Sequence, residues 1–300
     1  MRRRTFLAVP AVVAGQSAPP PDGMIREMIQ SFPATVSLCA QNLDTGRMIG
    51  IRQDERVQTA STIKLPIMAA VFDKYKRGEA RPEDLVVLRE EDKVSGSGVL
   101  HEMSAGLRFP LRDLVSLMIV VSDNTATNLI LDRITADSVN TLMDGLGLPQ
   151  TRALRKVRGD GTQLKEASGW SKAGQLEETK KFGLGVSTPS EMVKLLGKLQ
   201  RGEVVSPQAS RDMIAILKRQ QFKNGIGRRL GQFSVASKSG SLDALRSDVG
   251  IVYTPKGNVA LAISVDGLTP TDYSEDNPGL LLIARLAQEA VRILVPAALA

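Results

Sequence analysis

Ser61-Thr62-Ile63-Lys64 sets a hydroxyl and an amine three residues apart at the head of an apolar run. Residues i and i+3 share one face of a helix, so the two groups can come within hydrogen-bond reach. An amine whose surroundings lower its pKa can take the proton of an attacking serine. The helix N-terminus adds to this, since it favours negative charge on the oxygen and disfavours the ammonium. For this spacing alone, a serine cap followed by a solvated lysine is the plain alternative. The amine gains weight because the chain has one histidine, His101, and one cysteine, Cys39. A multi-histidine zinc site is thereby excluded, and a proton acceptor must be sought among Lys, Asp and Glu. Two further groups of similar chemistry follow. Ser122-Asp123-Asn124 stands after the apolar run 117–121, and Lys238-Ser239-Gly240 closes a strand-like segment.

The elements that must bring these groups together can be read from periodicity. Helical patterns cover 24–32, 61–75, 111–122, 126–134, 136–146, 189–199 and 207–219, with Asp and Ser ahead of several apolar runs as caps. Strand patterns cover 35–41, 47–52, 233–238, 248–253 and 259–266, and an amphipathic helix ends the chain. A starting hairpin and three late strands therefore enclose a helical block. The expected fold is α/β of the α+β type: an antiparallel sheet of about five strands flanked by helices, plus an all-helical lobe, with the active site in the cleft between them. The expected organisation is an export signal over 1–18 and one domain over 19–300. Its sheet lobe spans 22–58 and 213–300, its helical lobe 59–212. Segment 157–185 reads as a long irregular loop, with Trp170 as an anchor. Cys39 reads as a buried strand residue, and His101 as a surface or structural one.

At 42% hydrophobic and 24% charged over 300 residues, the chain is neither disordered nor a disulfide scaffold. Met1-Arg2-Arg3-Arg4 followed by a short apolar stretch has the layout of an export signal, and Arg3-Arg4-Thr5-Phe6-Leu7 resembles a twin-arginine pattern. A periplasmic or extracellular location is expected. Loss of Arg2, Arg3 and Arg4 would lower the net charge from +7 to +4. That mild balance, with three tyrosines and one tryptophan, gives no basis for nucleic-acid binding. No later segment reaches 18 uninterrupted apolar residues, so no stable membrane insertion is expected.

Taken in order, S-x-x-K, S-D-N and K-[ST]-G resemble the signature of class A β-lactamases and penicillin-binding proteins. The likeness extends over nearly the whole chain beyond the leader, through Gln53-Asp54-Glu55-Arg56, Gly106-Leu107-Arg108, Ser187-Thr188-Pro189 and Arg246-Ser247-Asp248. It implies Ser61 as the acylated nucleophile, Lys64 as its activator, and Ser122 as proton relay to the lactam nitrogen with help from Lys238. It also implies Asn124 on the substrate's side-chain amide, Ser239 and Arg246 on its carboxylate, Gly240 within the binding strand, and an oxyanion hole from the N–H groups of Ser61 and Ser241. The implied partner is a small β-lactam or acyl-D-Ala-D-Ala-like molecule bound by a monomer, with no metal and no cofactor. Arg246 has a plainer alternative, pairing with Asp243 or Asp248. The family's E-x-x-L-N motif, whose glutamate orients the deacylating water, is absent: Val157-Arg158 stand where that glutamate is expected. Asp160, Glu166, Glu177 and Glu178 are the carboxylates that could replace it. The overall match favours a class A-like β-lactamase acting through an acyl-serine intermediate at Ser61, with a D,D-peptidase or esterase, or a sensor that acylates without efficient turnover, as the alternatives.

Overall fold

The computed structural model describes residues 22–158 and 170–299, so the expected leader, Asp160 and Glu166 lie outside the described residues. The strands are β1 (Thr35–Asn42), β2 (Met48–Ile51), β3 (Val57–Gln58), β4 (Leu85–Val87), β5 (Arg108–Pro110), β6 (Arg152–Ala153), β7 (Gly185–Ser187), β8 (Ser234–Leu242), β9 (Leu245–Thr254) and β10 (Gly257–Asp266). The helices are α1 (Gly23–Gln30), α2 (Lys64–Arg77), α3 (Leu111–Val120), α4 (Asn124–Ile134), α5 (Ala136–Gly145), α6 (Glu177–Lys180), α7 (Pro189–Gln200), α8 (Pro207–Lys218) and α9 (Pro278–Leu294).

The main sheet has the order β2-β1-β10-β9-β8, antiparallel throughout, and is assembled from both ends of the chain as expected. Alternate residues of a strand face opposite sides, and both sides are apolar here. Cys39, Val249, Ile251, Ala260 and Ala262 join the core shared with the helical block. Leu38, Val252, Leu261 and Ile263 pack against α1 and α9 on the other side. Cys39 is fully buried, and burial pushes its thiol up to about 12, so it is inert core as expected. In α2, every residue from Lys64 to Val71 is buried, which makes this helix the axis of the helical block.

Several helix starts are built from local chemistry. Thr188, Ser206 and Asn277 cap α7, α8 and α9 through their side chains, each followed by proline in the first turn. Two differences from the sequence reading matter for the site. Strand β8 continues through Ser239-Gly240-Ser241 to Leu242, and β9 starts at Leu245, leaving a hairpin tip of Asp243 and Ala244. Serine and glycine carry little strand propensity, and ladder pairing to β9 overrides it. Segment 157–185 is also more ordered in its second half than expected. Thr179 Oγ1 donates to Ala173 O and Leu176 O, folding α6 onto a short turn, while Phe182 packs on Leu154 and Val186. Trp170 is flanked by the guanidinium groups of Arg155 and Arg158, each 5.7 Å from its ring. Among the described residues no helix is long and apolar enough to cross a membrane.

Candidate active site

Ser61 lies in a 3-10 turn, Ala60–Ile63, that feeds directly into α2. Ala60 has φ +45°, a region that residues with a side chain rarely occupy, so the turn presenting Ser61 is locally strained. The turn presses on β8 where that strand has no side chain. A Cβ added at Gly240 would meet Thr59 O at 2.7 Å and Ser61 N at 3.1 Å. Gly240 is therefore required for the close approach of the nucleophile's backbone to the sheet edge.

Lys64 is wholly buried. Its Nζ donates to Ser122 O at 2.6 Å, Asn124 Oδ1 at 2.9 Å and Ser122 Oγ at 3.2 Å. It makes no hydrogen bond to Ser61 Oγ among the described residues, so the direct contact that the spacing allows is not formed in this structure. Lys238, also wholly buried, reaches the same hydroxyl from the sheet. Its Nζ donates to Ser122 Oγ at 3.0 Å and Ser239 O at 2.8 Å. One serine hydroxyl thus bridges two lysine amines. Burial holds the Lys64 amine well below the usual lysine range, and the neighbouring charge of Lys238 pushes the same way, against Asp123. Burial likewise lowers Lys238 to about 7, opposed by Asp248. Lys238 can therefore exchange protons near neutral pH, and the Lys64 amine is shifted in the same direction.

Asp123 fixes this floor. Its carboxylate accepts Val99 N, Leu100 N and Ala126 N at 2.6–2.9 Å, tying the 95–100 segment to the start of α4. Gly98 gives way for it, since an added Cβ there would lie 2.4 Å from Asp123 Cα. Ser122 itself has φ +56°, a second strained point beside the reactive groups. Asn124 Nδ2 donates to Ser95 O, and Asn128, one turn along α4, pairs with both backbone groups of Val157 at 2.8 and 2.9 Å. Val157, where the family's glutamate was expected, is thereby pinned one helical turn from Asn124.

Arg246 departs from expectation. It is 1% exposed. Its guanidinium donates to Leu242 O at 2.5 Å, Leu245 O at 2.6 Å and Asp272 O, instead of pairing with Asp243 or Asp248 or standing free for a carboxylate. Ser241 is its direct partner across the ladder. Asp248, opposite Ser239, is buried two register pairs along the ladder. One oxygen accepts Ile226 N at 2.9 Å and the other has no partner, and burial raises its pKa to about 7. Glu177 and Glu178 are exposed on α6, with Glu177 bound to Lys180. His101 pairs with Glu102, 3.1 Å away.

The structure thus brings Ser61, Lys64, Ser122, Asn124, Lys238 and Gly240 to one place, and leaves Arg246 committed to backbone carbonyls. Sequence reasoning passed over the clamps made by Asp123 and Asn128. Asp123 had a visible signal, an acid just ahead of an apolar helix; Asn128 had none, because its partner is the backbone of a distant segment.

A strained serine turn opposite a hydroxyl held between two buried lysines, at the junction of a helical block and an antiparallel sheet, defines an acyl-serine enzyme class. The chain belongs to the β-lactamase enzyme family, whose model matches residues 21–294. It is 33% identical to Beta-lactamase L2 of Stenotrophomonas maltophilia over 58% of this chain, a match that spans 52% of that protein. A β-lactamase from Sphaerobacter thermophilus has the same fold with a TM-score of 0.78 at 29% identity, covering 91% of this chain and 95% of that one. A mutant of PBP-A, in an acyl-enzyme complex with penicillin G, shares the fold with a TM-score of 0.75 at 24% identity, covering 92% and 95%.

Proposed function

We propose that this chain opens β-lactams through an acyl-serine intermediate on Ser61. The observation that carries the reading is Ser122 Oγ held between Lys64 Nζ and Lys238 Nζ, at 3.2 and 3.0 Å, beside the serine turn. Ser61 Oγ attacks the lactam carbonyl carbon, forming the ester C–O bond as its proton passes to the neutral Lys64 amine. The C–N bond then breaks, and Ser122 delivers a proton to the leaving nitrogen while Lys64 and Lys238 replenish it. The N–H groups of Ser61 and Ser241 receive the oxyanion. Loss of one such donor costs roughly 3–4 kcal/mol. Asn124 meets the substrate's side-chain amide, and Ser239 with Lys238 meets its carboxylate. Water then cleaves the ester and frees Ser61. We further propose export to the periplasm or exterior on the basic, apolar leader, and action as a monomer.

Slow deacylation is a second reading, favoured by one observation. Asp123, the buried carboxylate next to Ser122, is taken by three backbone amides, and Glu177 and Glu178 are exposed on α6. On this reading the Lys64 amine is the base for the second step. The test is a count of opened benzylpenicillin per protein molecule over time. Many equivalents support hydrolysis; one equivalent with a persistent adduct supports a penicillin-binding role; neither product nor adduct defeats both.

A further inference from the structure

The turn that joins β8 to β9 is tied to the 267–277 segment at several points. Leu268 N donates to Ala244 O at 2.9 Å. The Arg246 guanidinium, already holding Leu242 O and Leu245 O inside the hairpin, reaches across to Asp272 O. Tyr273 lies over that guanidinium, 4.7 Å from ring centre to Cζ, and its hydroxyl donates to Asp243 Oδ1 at 2.7 Å. Asn277, the cap of α9, donates to the same Asp272 carbonyl at 2.8 Å. The ring of Tyr273 is otherwise open to solvent, with 63% of the residue exposed.

This arrangement is costly unless it holds something in place. A guanidinium is planar and always charged, and removing it from water requires most of its donors to be met. Here three of the five donors go to backbone carbonyls, and an aromatic ring lies over the guanidinium. A side chain meant to capture a ligand's carboxylate would keep its fork free, because two parallel N–H donors are what make that recognition strong. Ser241, whose N–H the proposed mechanism uses, is paired directly with Arg246 across the ladder. The hairpin end that Arg246 organises is therefore the end that aims the oxyanion donor.

We infer that Tyr273, Arg246 and Asp243 form a latch that positions the Ser241 end of β8, and that Arg246 is a positioning residue instead of a carboxylate ligand. This rests on the acyl-serine reading above. The latch locks the hairpin tip to the segment ahead of α9. Tyr273 contributes the stacking face and, through Asp243, a second tie to the tip.

The experiment compares acylation of the full chain by benzylpenicillin and by its methyl ester, resolving the limiting acylation rate from the half-saturating concentration. The variants are Tyr273→Phe, Tyr273→Ala, Arg246→Lys and Arg246→Ala. Misplacement of a reacting group by about 1 Å costs roughly 100-fold, so Tyr273→Ala and Arg246→Ala are expected to slow the limiting rate by about 10- to 100-fold, for acid and ester alike, with little change in half-saturation. Tyr273→Phe keeps the stack and should lose about threefold or less, in keeping with one exposed hydrogen bond. Arg246→Lys should not rescue, because an ammonium cannot span the same carbonyls. If Arg246→Ala weakens saturation by the acid more than tenfold and leaves the ester untouched, Arg246 binds the carboxylate and the inference is overturned. Where Arg246→Ala does not fold, the two Tyr273 variants decide: a limiting rate unchanged in Tyr273→Ala refutes the latch. Should the wild-type chain take up no penicillin, the acyl-serine reading fails separately. Amide hydrogen exchange over 267–277 then tests the latch, which predicts faster exchange in Tyr273→Ala and is refuted by unchanged exchange.

Discussion

The three largest fully buried side chains among the described residues are all cationic: Arg246, Lys64 and Lys238. They are used in opposite ways. Arg246 is met by backbone carbonyls and an aromatic face, and it has no proton to give at ordinary pH. Lys64 and Lys238 converge on one neutral hydroxyl, and neither has a carboxylate within ion-pair distance among the described residues. Burial without an ion-pair partner disfavours the charged form, so both amines are shifted below the usual lysine range. A buried guanidinium met by carbonyls keeps its charge and holds structure, whereas a buried amine without a counter-charge can become a proton carrier.

This contrast can be broken most severely at Lys64. Lys64→Met removes the base and should slow acylation by roughly 10²–10⁴-fold, the usual worth of positioned proton transfer. In the wild type the acylation rate should fall as pH is lowered and the amine gains its proton; stopped-flow acylation across pH checks both. Lys238→Met should cost on the order of 10²-fold in the same assay, with a signature in stability. The folded chain lowers Lys238 from 10.5 to about 7, so between those values the unfolded chain binds more protons and wild-type stability rises with pH. The variant should therefore gain most in thermal midpoint at pH 6, with the gain shrinking toward pH 10.

Gly240→Ala sharpens the geometric side. Its Cβ would meet Thr59 O at 2.7 Å and push the nucleophile's turn off the sheet. A loss on the order of 10-fold in acylation is expected, smaller than that from either lysine. The smallest effect should fall on Asp248→Asn, which alters stability more than rate. Asp248 is raised from 3.8 to about 7, so across that window the folded chain binds more protons and wild-type stability falls as pH rises. Its second oxygen has no partner, a cost of about 1–3 kcal/mol when the group is charged. The thermal midpoint of the variant relative to wild type should be higher at pH 8 than at pH 5, and equal differences at the two pH values would contradict the assignment.

Much of this was legible in the sequence because it is local. Helical periods over 189–199 and 207–219 marked α7 and α8, and short strand-like runs over 35–41 and 259–266 marked β1 and β10. The pairs Ser61 with Lys64 and Ser122 with Asp123 are contiguous motifs whose element types could be read beside them. Strands β3, β6 and β7 were not legible, since two or three residues carry no period and their pairing is set by contacts across the chain. The partners of Arg246 were not legible for the same physical reason. Its main partners are carbonyl oxygens, which every residue possesses, and one of them lies 26 positions away at Asp272.

Intact-mass spectrometry with peptide mapping, following wild-type and Ser61→Ala chains mixed with benzylpenicillin over time, decides whether Ser61 is the nucleophile. One penicilloyl adduct is expected on the peptide carrying Ser61 in the wild type, persistent or cleared with product, and none in the variant. An adduct that survives Ser61→Ala, or one that maps to another residue in the wild type, would contradict that role.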